Sequence, residues 1–216
     1  MSGPRARRLA LAACCALALA ACASKRLAVG NLARARVATD YASYRLVRVG
    51  LLPFRGAGVA PEQGRLLQAA FAQSIGAAAR FEIVALDDAD LEEVPASEPL
   101  RRGWTKPATV LALGRRYDLD ALLVGTVTDA QAFAPQKLGL EIDLVATETG
   151  IAIWSSAVAL DASEARGRQA LEAWHAKNRA GGEGSESWEL ALISPRRFAE
   201  FAAAEVAATL PRAARR

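Results

Sequence analysis

The stretch Ala121-Leu122-Leu123-Val124-Gly125-Thr126-Val127 decides the fold, because its aliphatic run predicts a buried strand. Two other strands are predicted before it, over residues 46–54, where Pro53 ends the run, and over residues 81–86. Helices are predicted between these strands. One begins at Pro61 and carries Leu67, Phe71, Ile75 and Ala78 at helical spacing, and the other covers residues 105–117, with Pro107 in its first turn. This alternation predicts parallel strands joined by right-handed crossovers.

An antiparallel hairpin is predicted next. Residues 137–146 alternate, with leucines and an isoleucine on one face and acidic residues on the other. Glu148-Thr149-Gly150 is predicted to form a tight turn, and residues 151–160 are predicted to form the returning strand. Trp154 in this strand is expected in the core. Further helices are predicted over residues 162–179 and after the cap Ser194-Pro195. The fold class is therefore α/β, a mixed sheet covered by helices.

The N-terminal residues predict export and lipidation. Arg5, Arg7 and Arg8 precede an apolar run from Leu9 to Leu19 that is too short to span a membrane. Leu19-Ala20-Ala21-Cys22 resembles the lipobox of bacterial lipoproteins, in which the cysteine is acylated and becomes the first mature residue. The alternative is an ordinary secretory signal cleaved nearby. We expect a signal peptide over 1–21, a lipidated tether over 22–40 and one α/β domain over 41–216.

The charge and the cysteine content argue against nucleic-acid binding and against a fold held by disulfides or a cysteine-bound metal. The formal net charge of +4 includes three signal arginines, so the mature chain carries 24 basic and 23 acidic side chains. No basic patch predicts nucleic-acid binding, and the terminal cluster Arg212, Arg215 and Arg216 is expected to be solvated. All three cysteines lie at or before position 22, which excludes disulfides and cysteine-based metal sites from the mature domain.

Three runs carry a resemblance to a known superfamily: Val49-Gly50-Leu51-Leu52-Pro53-Phe54, residues 120–127 and residues 144–154. They look like the superfamily that joins curli-secretion lipoproteins, lipoprotein activators of penicillin-binding proteins and the N-terminal domain of the Tol-system periplasmic protein. The resemblance covers about residues 46–160 and implies a noncatalytic envelope protein that binds other proteins. The connection 129–136 is too short for a membrane hairpin, whose strands each need about 9 to 11 residues, so a secretion pore is not expected.

Motifs that could carry catalysis are weak. The sole histidine, His175, lies in a charged helix, where a packing or surface role is expected. Gly56-Ala57-Gly58 precedes a helix, but no phosphate-loop or dinucleotide motif follows it. Asp87-Asp88 and Glu92-Glu93 lie along one loop, where solvation is expected. We therefore expect no catalytic residue, no metal and no cofactor.

Trp104 is the candidate anchor for a protein partner. Arg101 and Arg102 precede it at the end of the long loop 87–103, and tryptophan and arginine are enriched at interface hot spots. The alternative is that Trp104 packs at the start of the following helix. The resemblance thus implies a noncatalytic lipoprotein that faces the periplasm and binds an envelope protein. Ala23, in the position after Cys22, resembles the outer-membrane sorting pattern of such lipoproteins, so we expect the outer membrane. The alternative function is a small-ligand or glycan-binding module with its pocket near residues 56–58.

Overall fold

The computed structural model describes residues 32–56, 58–95, 100–103, 105–179 and 187–211. Within these ranges, seven strands and four α-helices form a mixed α/β fold, which confirms the predicted class. The strands are β1 Arg34–Val37, β2 Arg48–Leu51, β3 Arg55–Gly56, β4 Glu82–Ala85, β5 Ala121–Gln131, β6 Lys137–Ala146 and β7 Ala152–Asp161. The helices are α1 Pro61–Ala78, α2 Pro107–Tyr117, α3 Ala165–Arg179 and α4 Pro195–Ala207, with 3-10 turns at Tyr41–Ser43 and Trp188–Leu192.

All strands belong to one sheet, in the order β1-β7-β6-β5-β2-β4, with β3 also paired to β5. Strand β2 pairs in parallel with β4 and β5, as the alternation of strands and helices predicts. Strands β5, β6 and β7 form an antiparallel meander, so the predicted hairpin is present and is extended by β5 on one side. Strand β5 therefore joins the parallel half of the sheet to the antiparallel half.

The first face of the sheet carries the larger core. Helices α1, α3 and α4 pack there against alternate residues of β2, β5, β6 and β7. Phe71 on α1 is fully buried and its ring lies 4.6 Å from that of Phe54. Leu67 and Ile75 are buried as predicted, whereas Ala78 is exposed because it lies in the last turn of the helix. Trp154 is also in this core, as expected.

The second face is covered over only part of its width. Helix α2 packs Val110 and Leu113 against β5, in a smaller core that also holds Leu52, Leu86 and Leu122. The four described helices thus cover the first face and the β2 and β5 part of the second. Apart from Val145, which packs at the edge of this smaller core, the second face of β1, β7 and β6 carries no helix of the described chain.

Helix ends follow the predicted signals. The Oγ of Ser194 accepts a hydrogen bond from the backbone N–H of Arg197 at 3.4 Å, and Pro195 occupies the first position of α4. At the other end of the sheet, α2 stops at Asp118, whose φ of 53° is left-handed. No described helix combines the length and apolar content that a membrane crossing needs.

Strand β1 differs from the prediction. Residues 34–37 fall inside the predicted tether, but they pair antiparallel with β7, from Arg34 opposite Ala157 to Val37 opposite Trp154. The backbone N–H of Leu32 also donates to Glu205 on α4 at 2.8 Å. The folded part therefore begins before residue 41, because the exposed edge of β7 is satisfied by this segment.

Candidate binding face of the sheet

The uncovered part of the second face is the candidate functional site, and we call it the open face. Side chains of directly paired residues lie on the same side of a sheet, so the register defines its members. They are Arg34 and Arg36 on β1, Ser155, Ala157 and Ala159 on β7, and Glu141 on β6, with Asp143 on the same side but buried under Arg102. Cationic side chains therefore lie on one edge, acidic side chains on the inner strand, and small side chains between them.

The small residues of β7 form the floor of a trough. Strands β1 and β6 are two strand spacings apart, which is about 10 Å and similar to the distance between packed sheets. A groove of about 420 Å³ occupies this region, and its lining includes Arg34, Glu141, Ala159, Asp161 and Arg166. The trough is thus wide enough for one extended polypeptide segment, and both signs of charge surround it.

Arg102 packs against the β6 side of the trough, where it contacts Glu141 and Asp143. Its Nη1 lies 2.8 Å from Oε2 of Glu141, and its Nε donates to Oδ1 of Asp143 at 2.8 Å. The backbone N–H of Arg102 donates to Oγ1 of Thr126 on β5 at 2.9 Å. Hydrogen bonds to Glu141, and then to Asp143, raise the pKa of Arg102 above its usual value. This clamp holds the end of the loop against the sheet and compensates the charge of Asp143, whose side chain is only 12% exposed.

A second ion pair lies at the other end of the trough. Lys137 Nζ is 2.9 Å from Oδ2 of Asp161, and Ser163 donates both its Oγ–H and its backbone N–H to Oδ1 of Asp161. Hydrogen bonds from Ser163, followed by the one from Lys137, lower the pKa of Asp161 to about 2. The same pair raises the pKa of Lys137. Both groups remain charged across the physiological range.

The predicted site residues fall partly outside the described chain. Two of the predicted features lie outside the described residues: the lipidation motif Leu19, Ala20, Ala21 and Cys22, and Trp104. The lipidation site and the partner-binding role of Trp104 therefore stay predictions. Arg101 and Arg102 lie side by side at the end of the loop, both half-buried. The Nε of Arg101 is buried and finds no hydrogen-bond acceptor among the described residues, whereas the guanidinium of Arg102 is engaged with β6. Their predicted partner-binding role is untested, and Arg102 has a structural role that the sequence did not indicate.

The described residues around positions 56–58 bring few polar atoms to the surface of a pocket. Ala57 lies outside the described residues, and the cavity beside Val59 and Gln63 has a volume of about 60 Å³ with an almost wholly apolar lining. The Oε1 of Gln63 accepts from the backbone N–H of Ala60, which caps α1. Elsewhere, His175 is half-buried on α3, and within the described ranges no group of acidic, histidine or cysteine side chains is arranged to hold a metal ion.

The signal for the trough is present in the sequence of β7, although the pattern predicted only the second strand of a hairpin there. Buried Trp154 and Val158 alternate there with Ser155, Ala157 and Ala159. Strands that simply face water usually carry larger polar side chains at such positions. A run of small residues on the outer face of a strand is therefore the feature that indicates a trough.

No protein-family model and no curated protein matches the chain. Solved structures with a similar fold include the PelC dodecamer from Paraburkholderia phytofirmans, at 14% identity over 64% of this chain and 87% of that one, with a TM-score of 0.44. Lipoprotein GNA1162 from Neisseria meningitidis matches at 16% identity over 63% of this chain and 98% of that one, with a TM-score of 0.41. The LpoB C-terminal domain from Salmonella enterica matches at 19% identity over 53% and 83%, with a TM-score of 0.37. At these identities and TM-scores the likeness concerns the fold alone and assigns the chain to no family.

Proposed function

We propose that this chain is a noncatalytic lipoprotein, anchored through Cys22 to the periplasmic face of the outer membrane, that holds a protein partner on its open face. The observation that carries the proposal is the trough between β1 and β6. A sheet face without a covering layer exposes groups that a partner can bury. The Leu-Ala-Ala-Cys motif supports the anchor.

The chemistry of the trough favours a polypeptide segment that carries both signs of charge. Arg34 and Arg36 on one wall offer cations, and Glu141 on the other, which is paired with Arg102, keeps 39% of its side chain exposed. Charges arranged in this way give specificity and orientation, more than affinity. The floor of alanines allows close approach of a backbone.

Site-specific photocrosslinking tests this proposal. A photoreactive residue replaces Ala159, which is exposed on the trough floor, in the full-length protein expressed in its native envelope. Ala77, which is exposed on α1, provides the matched control. We expect one discrete protein adduct from position 159, lost when Ala157→Arg fills the floor, and no such adduct from position 77. Identical adducts from both positions contradict the proposal.

A small-ligand or glycan-binding module is the second candidate. The groove volume of about 420 Å³ lies within the range of about 300 to 1,000 Å³ that is usual for ligand pockets. Calorimetric titration with soluble cell-wall glycan fragments separates the two functions. Saturable binding that Ala159→Arg abolishes and Ala77→Arg leaves intact favours the ligand-binding function.

A further inference from the structure

Three large apolar side chains are exposed at one end of the molecule, and we call them the apolar tip. Phe133, in the turn between β5 and β6, is 85% exposed. Ile193 and Leu190, just before α4, are 60% and 45% exposed. The amide Nε2 of Gln136 donates to the backbone carbonyl of Leu192 at 2.8 Å, so the two segments are joined. Exposed apolar groups gathered in this way mark an interaction surface.

The turn that carries Phe133 is held in shape by hydrogen bonds. The amide Nε2 of Gln131 donates to the carbonyls of Pro135 at 2.9 Å and of Phe133 at 3.4 Å. The Gln136 carbonyl accepts from the backbone N–H of Ala162 at 2.9 Å. The phenyl ring is therefore presented on a braced turn.

The chain enters the domain near the same end. Strand β1 runs antiparallel to β7 with Arg34 opposite Ala157, so Leu32 lies near the level of Ala159. Strand β7 ends at Asp161, beside the apolar tip, which is two residues or about 7 Å from the level of Leu32 at 3.4 Å per residue. The β6–β7 turn at Ile151, at the opposite end, is eight residues or about 27 Å from that level. The ten residues from Cys22 to Leu32 extend at most about 35 Å. If the apolar tip faces the membrane, this segment therefore links Cys22 to the lipid without being stretched. If the opposite end faces the membrane, the segment has to be almost fully extended.

From this geometry we propose that the apolar tip rests on the lipid surface that holds the anchor, with the rings and aliphatic groups of Phe133 and Ile193 inserted at the headgroup boundary. This inference rests on the acylation of Cys22 in the proposed function. Arg196 and Arg197 follow Ile193 in the first turn of α4. Both are paired with Glu200 at 3.1 Å, and the one net positive charge that this group keeps suits an anionic headgroup layer. The insertion fixes the orientation of the domain, with the strands upright on the membrane and the trough facing sideways.

Fluorescence quenching in vesicles tests the inference on the acylated full-length mature protein. All native cysteines lie at or before position 22, so Phe133→Cys introduces a thiol that can be labelled with an environment-sensitive fluorophore. Ile151→Cys is the matched control, because it is 60% exposed at the opposite end of the same sheet. The vesicles contain phosphatidylethanolamine and phosphatidylglycerol, with lipids brominated on the acyl chains as quenchers. Ile193→Cys gives an independent second position at the tip.

We expect quenching about fivefold stronger at positions 133 and 193 than at position 151, because interfacial apolar groups lie about 5–10 Å within the boundary. Equal quenching at both ends, or none at 133 and 193 in protein that floats with the vesicles, overturns the membrane-facing tip and leaves the anchor intact. Protein that does not float with the vesicles refutes the anchor and the inference together. Flotation thus reports the anchor, and quenching reports the tip.

Discussion

Removal of the Arg102 guanidinium is the sharpest test of how the open face is built. The substitution Arg102→Ala deletes the two contacts at 2.8 Å to Glu141 and Asp143. The Glu141 side chain is 39% exposed, so that pair contributes about 0.5 kcal/mol, in the range of surface ion pairs. The hydrogen bond to the mostly buried Asp143 contributes about 2 kcal/mol, as expected for a bond to a charged group. The free energy of unfolding should therefore fall by about 2 to 3 kcal/mol.

Urea titration of the chain from Ala23 onward measures this loss, and a double-mutant cycle with Asp143→Asn tests its cause. Asp143→Asn keeps an acceptor oxygen but removes the buried charge that Arg102 compensates. The double variant should then be more stable than additive losses predict, by about 1 kcal/mol. Arg36→Ala, an exposed arginine on the same face, should change stability by no more than about 0.5 kcal/mol. A loss below about 0.5 kcal/mol for Arg102→Ala, or strictly additive losses, refutes the clamp.

Three further outcomes follow from particular residues. Gly125→Ala places a Cβ against Cε1 of the Phe54 ring, closer than van der Waals contact, so we expect about 2 kcal/mol of destabilisation in thermal unfolding, part of which Phe54→Leu should restore. Hydrogen bonds from Ser163, the leading cause, lower the pKa of Asp161 to about 2. The Asp161 carboxylate therefore contributes fully to the stability of the fold above its ordinary pKa of 3.8, and this contribution is lost as the pH falls from there towards 2. Asp161→Asn should accordingly flatten the acid limb of a stability profile, and an unchanged limb would contradict this assignment. Cys22→Ala should release the protein from membranes washed in high salt, as fractionation and immunoblotting would detect; retention would show that another element anchors it.

Local patterns predicted the elements well where burial and capping are local. The aliphatic run 121–127 forms the centre of β5, and Ser194 caps α4 as expected. Strand β1 escaped prediction because Arg-Ala-Arg-Val has no continuous apolar face, and its pairing depends on β7, far along the chain. The clamp escaped for the same reason, since Arg102 finds its partners 39 and 41 residues later, on neighbouring positions of one strand face. The end of the loop is therefore recognisable from its residue types, whereas the structural role of Arg102 depends on the fold.

The position of β1 has a consequence for the order of folding. Its partner strand comes more than a hundred residues later, and the contact from Leu32 to Glu205 spans 173 residues. The entropy lost in closing a loop rises with its length, and contacts of large sequence separation form late. We therefore expect β1 to join the sheet last, after β7 and α4 have packed. In a chain exported from its N-terminus, the first segment to cross the membrane is then the last to be ordered.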